Sequence, residues 1–239
     1  MYRADRILAF VPARGGSKGI PGKNTTLLSE KPLIAYTIEA AKASAYIDDT
    51  IISTDSQSIA EIAKSYGAQV PFMRPAYLSE DGSEIIDAVL HGLSSLREIG
   101  YDYDVLVLLQ PTQPLRTAWH IDKAIECFYE QGKKSLVSIS SVRSSPILTR
   151  SIGENGELVP LLNIRSTVRR QDMPTYFVVN GCIYINAVDT LTPETSFNDN
   201  IVPFYMDKRY AIDIDEPEDL ELAEFYLKQI NKAESNPIL

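Results

Sequence analysis

Arg14, Lys18 and Lys23 fall together in FVPARGGSKGIPGKN, Phe10 to Asn24, of a chain whose formal net charge is −9. Glycines 15, 16, 19 and 22 let the backbone come close to a ligand and offer it N–H groups, and Ser17 adds a hydroxyl. A loop of this kind after a short apolar strand suits phosphate, and a polyphosphate is the economical reason for so much local positive charge. It is not a Walker A loop: counting back from Gly22-Lys23, Ser17 stands where glycine is needed and Asn24 where Ser or Thr is needed. No G-x-G-x-x-G frame fits either. The competing reading is a solvated loop whose basic residues aid solubility.

IDID, residues 212 to 215, is the second constellation. On a strand its period-two alternation sends Ile212 and Ile214 to one face and Asp213 and Asp215 to the other. Two carboxylates about 7 Å apart at Cα can converge on one hard cation, and Mg²⁺ is the natural candidate because it completes its octahedron with waters and substrate phosphates. Asp215 has a second reading, since with Glu218 it forms the D-x-x-E of a helix capping box. Capping does not explain Asp213.

Three weaker signals follow. QPTQPLRT, Gln110 to Thr117, closes the most apolar strand pattern, where open α/β sheets bind ligands; Thr117 reads equally as a helix cap and Arg116 as a surface salt-bridge partner. In RRQDMPTYFVVNGCIYI the guanidinium groups of Arg169 and Arg170 suit bidentate pairing with a carboxylate, and Asn180-Gly181 reads either as a ligand contact or as a strand bulge. Ser83, after Asp81-Gly82, reads as a nucleobase contact or, more simply, as a helix cap.

Alternating apolar and amphipathic runs must position these residues. Strands are expected at Ile7–Ala13, Thr50–Asp55, Val70–Phe72 and Asp104–Gln110, with helices from Pro32 to about Ser44, over Ile59–Tyr66, over Ile85–Leu96 and over Ile121–Phe128. That order is the pattern of a parallel sheet covered by helices. From Ser135 the texture changes. Between Arg143 and Arg170 there are five arginines against two acids, and GENGEL looks like a hairpin turn, so this part reads as an inserted β-rich arm. VVNGCIYIN, IVPFYM and YAIDID read as further strands before a closing helix on Leu220, Ala223, Leu227 and Ile230.

With 239 residues, 44% of them hydrophobic and 23% charged, the chain can bury one large core. Its acidic balance argues against nucleic acid, which needs a broad basic face. No run reaches the about 18 apolar residues of a membrane span, and MYRADRILAFVPA does not read as a signal peptide, so a cytoplasmic location is expected. Cys127 and Cys182 read as buried reduced thiols, and with only His91 and His120 no zinc-type spacing exists.

VPARGGSKGIPGKN, ISTDS, LLQPTQPLR, RRQDMPTYFVVNGCIYI and IDIDEPEDLELAE, in this order over nearly the whole chain, resemble the acylneuraminate cytidylyltransferases, also called CMP-sialic acid synthetases. The first motif is shared by many cytidylyltransferases, and the combination is far more specific. The resemblance implies a single α/β domain over 1–239 with the three-layer, Rossmann-like nucleotide-diphospho-sugar transferase fold, a mostly parallel sheet, and an arm over 143–178 through which two copies form a homodimer. It implies that CTP and a nine-carbon 2-keto sugar acid give the CMP-sugar and pyrophosphate, with Mg²⁺ on Asp213 and Asp215.

Matched by position, Arg14, Gly15, Ser17, Lys18 and Lys23 would grip the CTP phosphates, with Arg14, Lys18, Lys23 and Asp213 as the catalytic group. Asn24, Arg74 and Ser83 would serve ribose and cytosine, and Gln110, Arg170, Asn180, Tyr184 and Phe197 the sugar acid. Two positions depart from the family pattern. Gln113 stands where Ser is usual, and Val178 where some sialic acid enzymes carry Arg. Both are expected near the sugar pocket, which leaves open N-acetylneuraminic, legionaminic or pseudaminic acid, with the eight-carbon acid Kdo as a rival. A catalytically silent nucleotide-binding protein is the rival of another class, and intact Lys18, Lys23, Asp213 and Asp215 speak against it.

Overall fold

The computed structural model describes residues 4–164, 167, 169 and 173–234. Ile7–Pro12 (β1) is buried on both faces, as a central parallel strand should be. Its alternation sorts two cores. Ile7, Ala9 and Val11 pack with Ile34 and Ile38 of Leu33–Lys42 (α1), Ile59 of Gln57–Ser65 (α2) and Phe128 of Ala118–Glu130 (α4). Leu8 and Phe10 pack on the other face with Ile86, Val89 and Leu93 of Ile85–Glu98 (α3). The result is three layers, helix on sheet on helix.

Two two-residue strands, Leu27–Leu28 (β2) and Lys31–Pro32 (β3), make a small hairpin after the glycine loop. The main sheet adds Asp49–Ser53 (β4), Val105–Leu108 (β5), Leu136–Ser141 (β6), Phe177–Ala187 (β9) and Val202–Tyr205 (β10), in the order β10-β6-β9-β5-β1-β4. Arg150–Ile152 (β7) and Leu158–Pro160 (β8) pair separately, joined by the turn foreseen at GENGEL. Within the main sheet β9 runs antiparallel to both β5 and β6, while the other neighbours are parallel.

Two expected strands are corrected. Val70–Phe72 is not one: only Gln69 makes a single bridge to Ile51, and Pro71, without an N–H, cannot extend the ladder. YAIDID is not one either. Its alternation survives, with Ile212 and Ile214 buried, but their partners are Ile20, Leu28, Leu33, Leu115 and Ala223 of Pro217–Glu234 (α5) rather than a neighbouring strand. In place of a ladder the segment has a backbone bond from Ile214 N–H to the Thr112 carbonyl at 2.9 Å. A helix and a loop thus satisfy the apolar pattern that a strand would have used.

Candidate active site

At the carboxyl end of β1 the glycine loop turns back against the IDID segment. A side chain at Gly19 would put its Cβ 2.2 Å from the Asp215 carbonyl, so only glycine permits this approach. Lys23 Nζ donates to Asp215 Oδ1 at 2.8 Å, joining groups 192 residues apart. The Asp215 carboxylate therefore does not cap α5. Asp219, in the first turn of α5, reaches back instead, its Oδ2 accepting from Asp215 N–H at 3.0 Å and Glu216 N–H at 2.9 Å.

The cleft between them has a volume of about 380 Å³. Arg14, Ser17, Lys23, Asn24, Arg74, Ser83, Gln110, Asp213 and Asp215 all line it, so residues drawn from five regions of the sequence meet there. Gly15 and Lys18 are placed differently. The Gly15 amide donates to Asp55 Oδ1 at 2.8 Å instead of facing the cleft, so the aspartate of ISTDS holds the loop's entry. Lys18, largely exposed, stands at the rim with its Nζ 2.8 Å from Asp81 Oδ2, while Arg14 reaches Asp81 Oδ1 at 2.9 Å. Lys18 and then Arg14 hold the Asp81 carboxyl below its ordinary value. One protein carboxylate thus occupies both rim cations, a role that a DGS turn gave no sign of in the sequence.

Asn24 is buried; its Nδ2 donates to the Arg14 carbonyl at 2.9 Å, and its Oδ1 has no protein partner. Arg74 is buried against β4, donating from Nε to Ser53 Oγ at 3.0 Å, and burial lowers its pKa. Ser83 does not cap α3, whose N-cap is Glu84; its hydroxyl donates to the Tyr77 carbonyl at 2.8 Å and closes the loop that carries Asp81. Asp213 lines the cleft with its side chain open to solvent. Partial desolvation raises its carboxyl, a hydrogen bond from the Thr112 side chain opposes the rise, Asp215 adds to it and Lys23 opposes it.

A second cavity of about 610 Å³ abuts the first, and Gln110 and Asp213 line both. Its wall is a bulge in β9. Four residues, Asn180 to Ile183, stand opposite Ser138 alone, between the pairs Val137↔Tyr184 and Ile139↔Val179. Gly181 takes φ +74°, and a Cβ there would lie 2.8 Å from Gln110 Oε1. Asn180 is the staple of this bulge: Oδ1 accepts from Ser138 Oγ at 2.6 Å and Cys182 N–H at 3.1 Å, and Nδ2 donates to Ser140 Oγ at 2.8 Å. Most of its polar capacity is therefore spent inside the protein, leaving one amide N–H for a ligand.

Tyr184 lines the second cavity and donates its hydroxyl to Asn198 at 2.9 Å; Phe197 lies buried with its ring centroid 5.9 Å from that of Tyr184. Arg170 lies outside the described residues. Of the two departures, Val178 lines the cavity, but Gln113 is buried behind it, donating to the Asn180 carbonyl at 2.6 Å and accepting from Cys182 Sγ at 3.1 Å. Arg116 is not a surface residue. It is 2% exposed, donates to the Cys182 carbonyl at 2.9 Å and to Thr37 Oγ1, and burial pushes its pKa down to about 10. Thr117 is the N-cap of α4.

Cations on a glycine loop facing a carboxylate pair, at the carboxyl end of a mostly parallel sheet, define an α/β transferase that handles a nucleotide. The family model for cytidylyltransferases matches residues 8–236, and the chain belongs to that family. The resemblance read from the motifs, the fold it implies and the nucleotidyltransferase class are borne out. CMP-N,N'-diacetyllegionaminic acid synthase of Legionella pneumophila is 40% identical over 222 residues, 92% of this chain and 95% of that protein. An N-acylneuraminate cytidylyltransferase of Streptococcus agalactiae is 35% identical over 215 residues, 89% of this chain but 51% of that longer protein. The structure of CMP:2-keto-3-deoxy-manno-octonic acid synthetase complexed with CTP is similar in fold, with a TM-score of 0.69 over 94% of this chain and 99% of that one, at 17% identity.

Proposed function

We propose that this chain transfers the cytidylyl group of CTP to the anomeric hydroxyl of a nine-carbon 2-keto sugar acid, an N-acylneuraminic acid or a related nonulosonic acid. The observation that carries the reading is the pair of abutting cavities that share Gln110 and Asp213, one walled by the cationic loop and the other by the β9 bulge. A nucleotide in the first and a sugar acid in the second meet at that shared wall. The anomeric oxygen attacks the α-phosphorus in line, the bond from that phosphorus to the bridging oxygen breaks, and pyrophosphate leaves.

Arg14, Lys18 and Lys23 offset the charge that grows on the leaving group. In binding, the triphosphate takes the place of the Asp81 carboxylate on Arg14 and Lys18. Asn24 Oδ1, buried and unpartnered, suits a ribose hydroxyl, since a donor there relieves its missing bond. Asp213, raised above its ordinary value, suits the role of acceptor for the hydroxyl proton.

Asp213 and Asp215 fit a hard divalent cation. They are oxygen donors whose charges oppose one another, and Lys23 Nζ already rests on Asp215 as a cation would. Mg²⁺ held there would supply charge that screens the triphosphate. The arm supports a homodimer, because Leu148, Ile152, Leu158, Leu161 and Ile164 expose apolar surface there. No described helix is long and apolar enough to cross a membrane, and the demand for CTP suits a cytoplasmic setting.

Pyrophosphate release with CTP, Mg²⁺ and a panel of N-acetylneuraminic, legionaminic, pseudaminic and Kdo acids tests the reading. Turnover is expected with a nine-carbon acid. Preference for Kdo, or tight CTP binding with no turnover on any acid, overturns it in favour of the eight-carbon or the silent alternative.

A further inference from the structure

The parallel pair β6 and β10 ends at the second cavity, and each strand delivers a cation there just past its carboxyl end. Arg143 follows β6 and Lys208 follows β10, and both line the cavity together with Asp213. The two chain segments are bonded to each other, Met206 N–H to the Ile139 carbonyl at 2.8 Å and Ser140 Oγ to the Met206 carbonyl at 2.8 Å, so the strand ends that carry these cations run side by side. Neither cation makes a salt bridge among the described residues. The acid beside Lys208, Asp207, gives its two oxygens to Arg209 Nε and Nη2, both at 3.1 Å.

An acid whose anomeric hydroxyl points at Asp213 carries its own carboxylate on the same carbon, close to that aspartate. Like charges cannot share such a site without a counter-charge. Among the described residues, the cations lining this cavity are Arg143 and Lys208. We infer that Arg143 and Lys208 bind the carboxylate of the sugar acid, the guanidinium as a planar fork and the ammonium as a point charge. This rests on the proposed transfer to a 2-keto acid, and it gives Arg143, at the start of the arm, and Lys208 the carboxylate pairing that the sequence suggested for Arg169 and Arg170.

The test uses the double variant Arg143→Gln/Lys208→Gln of the full chain, with the best acid of the panel and its methyl ester. Each lost charge-assisted contact is worth on the order of tenfold, so the KM for the acid is expected to rise about a hundredfold. Affinity for CTP should be unchanged. The wild type should prefer acid to ester, and the variant should lose that preference. An unchanged KM for the acid overturns the inference, as does a raised KM with the acid-over-ester preference intact. Absence of turnover by the wild type on every acid would instead sink the proposed function, so the two failures are told apart.

Discussion

Asp81 shows how a single carboxylate can compete with a substrate. It bonds Arg14 and Lys18, the cations that a triphosphate needs, and they in turn hold its carboxyl below the ordinary value. Asp81→Asn keeps the shape and removes the competing charge. It is expected to tighten CTP binding severalfold in titration calorimetry, and equal or weaker binding would show that the contact does not compete. Asp213 lies at the opposite extreme, its carboxyl raised by desolvation and by the charge of Asp215. Mg²⁺ is expected to raise the melting temperature of the wild type and not that of Asp213→Asn, whose kcat should fall by on the order of a hundredfold, about 3 kcal/mol of lost transition-state stabilisation. An Asp213→Asn protein with wild-type turnover would remove Asp213 from the mechanism.

Two elements set the stage for those residues. At the start of α4 the Thr117 N–H donates to His120 Nδ1 at 3.3 Å, with Thr117 Oγ1 at 2.8 Å from the same nitrogen. Burial, with Arg116 adding to it, pushes the His120 pKa down to about 4 from an ordinary 6.5. Above pH 6.5 both folded and unfolded chains hold it neutral. As pH falls from there toward 4 only the unfolded chain takes the proton, so stability declines. Between about pH 7 and about pH 5 the wild type should lose roughly 2 kcal/mol more than His120→Gln in urea unfolding. Parallel curves would mean that the ring titrates freely in the folded protein.

The β9 bulge is braced from behind by Gln113. Gln113→Ser restores the residue usual in the family but leaves the Asn180 carbonyl only the long Cys182 thiol contact at 4.0 Å, at a cost of about 1–3 kcal/mol. Because the bulge walls the second cavity, the KM for the acid should rise while CTP affinity holds. An unaltered KM would show that the bulge stands without its brace.

At the scale of the whole molecule, the arm hairpin projects Ile152 and Leu158, cross-strand partners 77% and 71% exposed. Light scattering is expected to give twice the chain mass for the wild type and a single chain mass for Ile152→Glu/Leu158→Glu, with the melting temperature of the isolated fold retained. A monomeric wild type would rule out pairing through this surface.

Much of this architecture was legible before folding. The continuous apolar runs Ile7–Pro12 and Val105–Leu108 gave the central strands, the helical stripes gave α1 to α5, and the glycine loop with the later motifs placed the chain among the cytidylyltransferases. Those signals are local, because burial imposes its period on neighbouring residues. Tertiary structure decided what the charges touch. It gave Asp215 to Lys23 rather than to a helix cap, set Asp81 across Arg14 and Lys18, turned Gln113 and Arg116 inward, and brought Arg143 and Lys208 to one cavity. None of these pairings leaves a period in the sequence. Each depends on which elements pack together across long stretches of chain, and that choice is made by the cores and not by the polar residues that come to face one another.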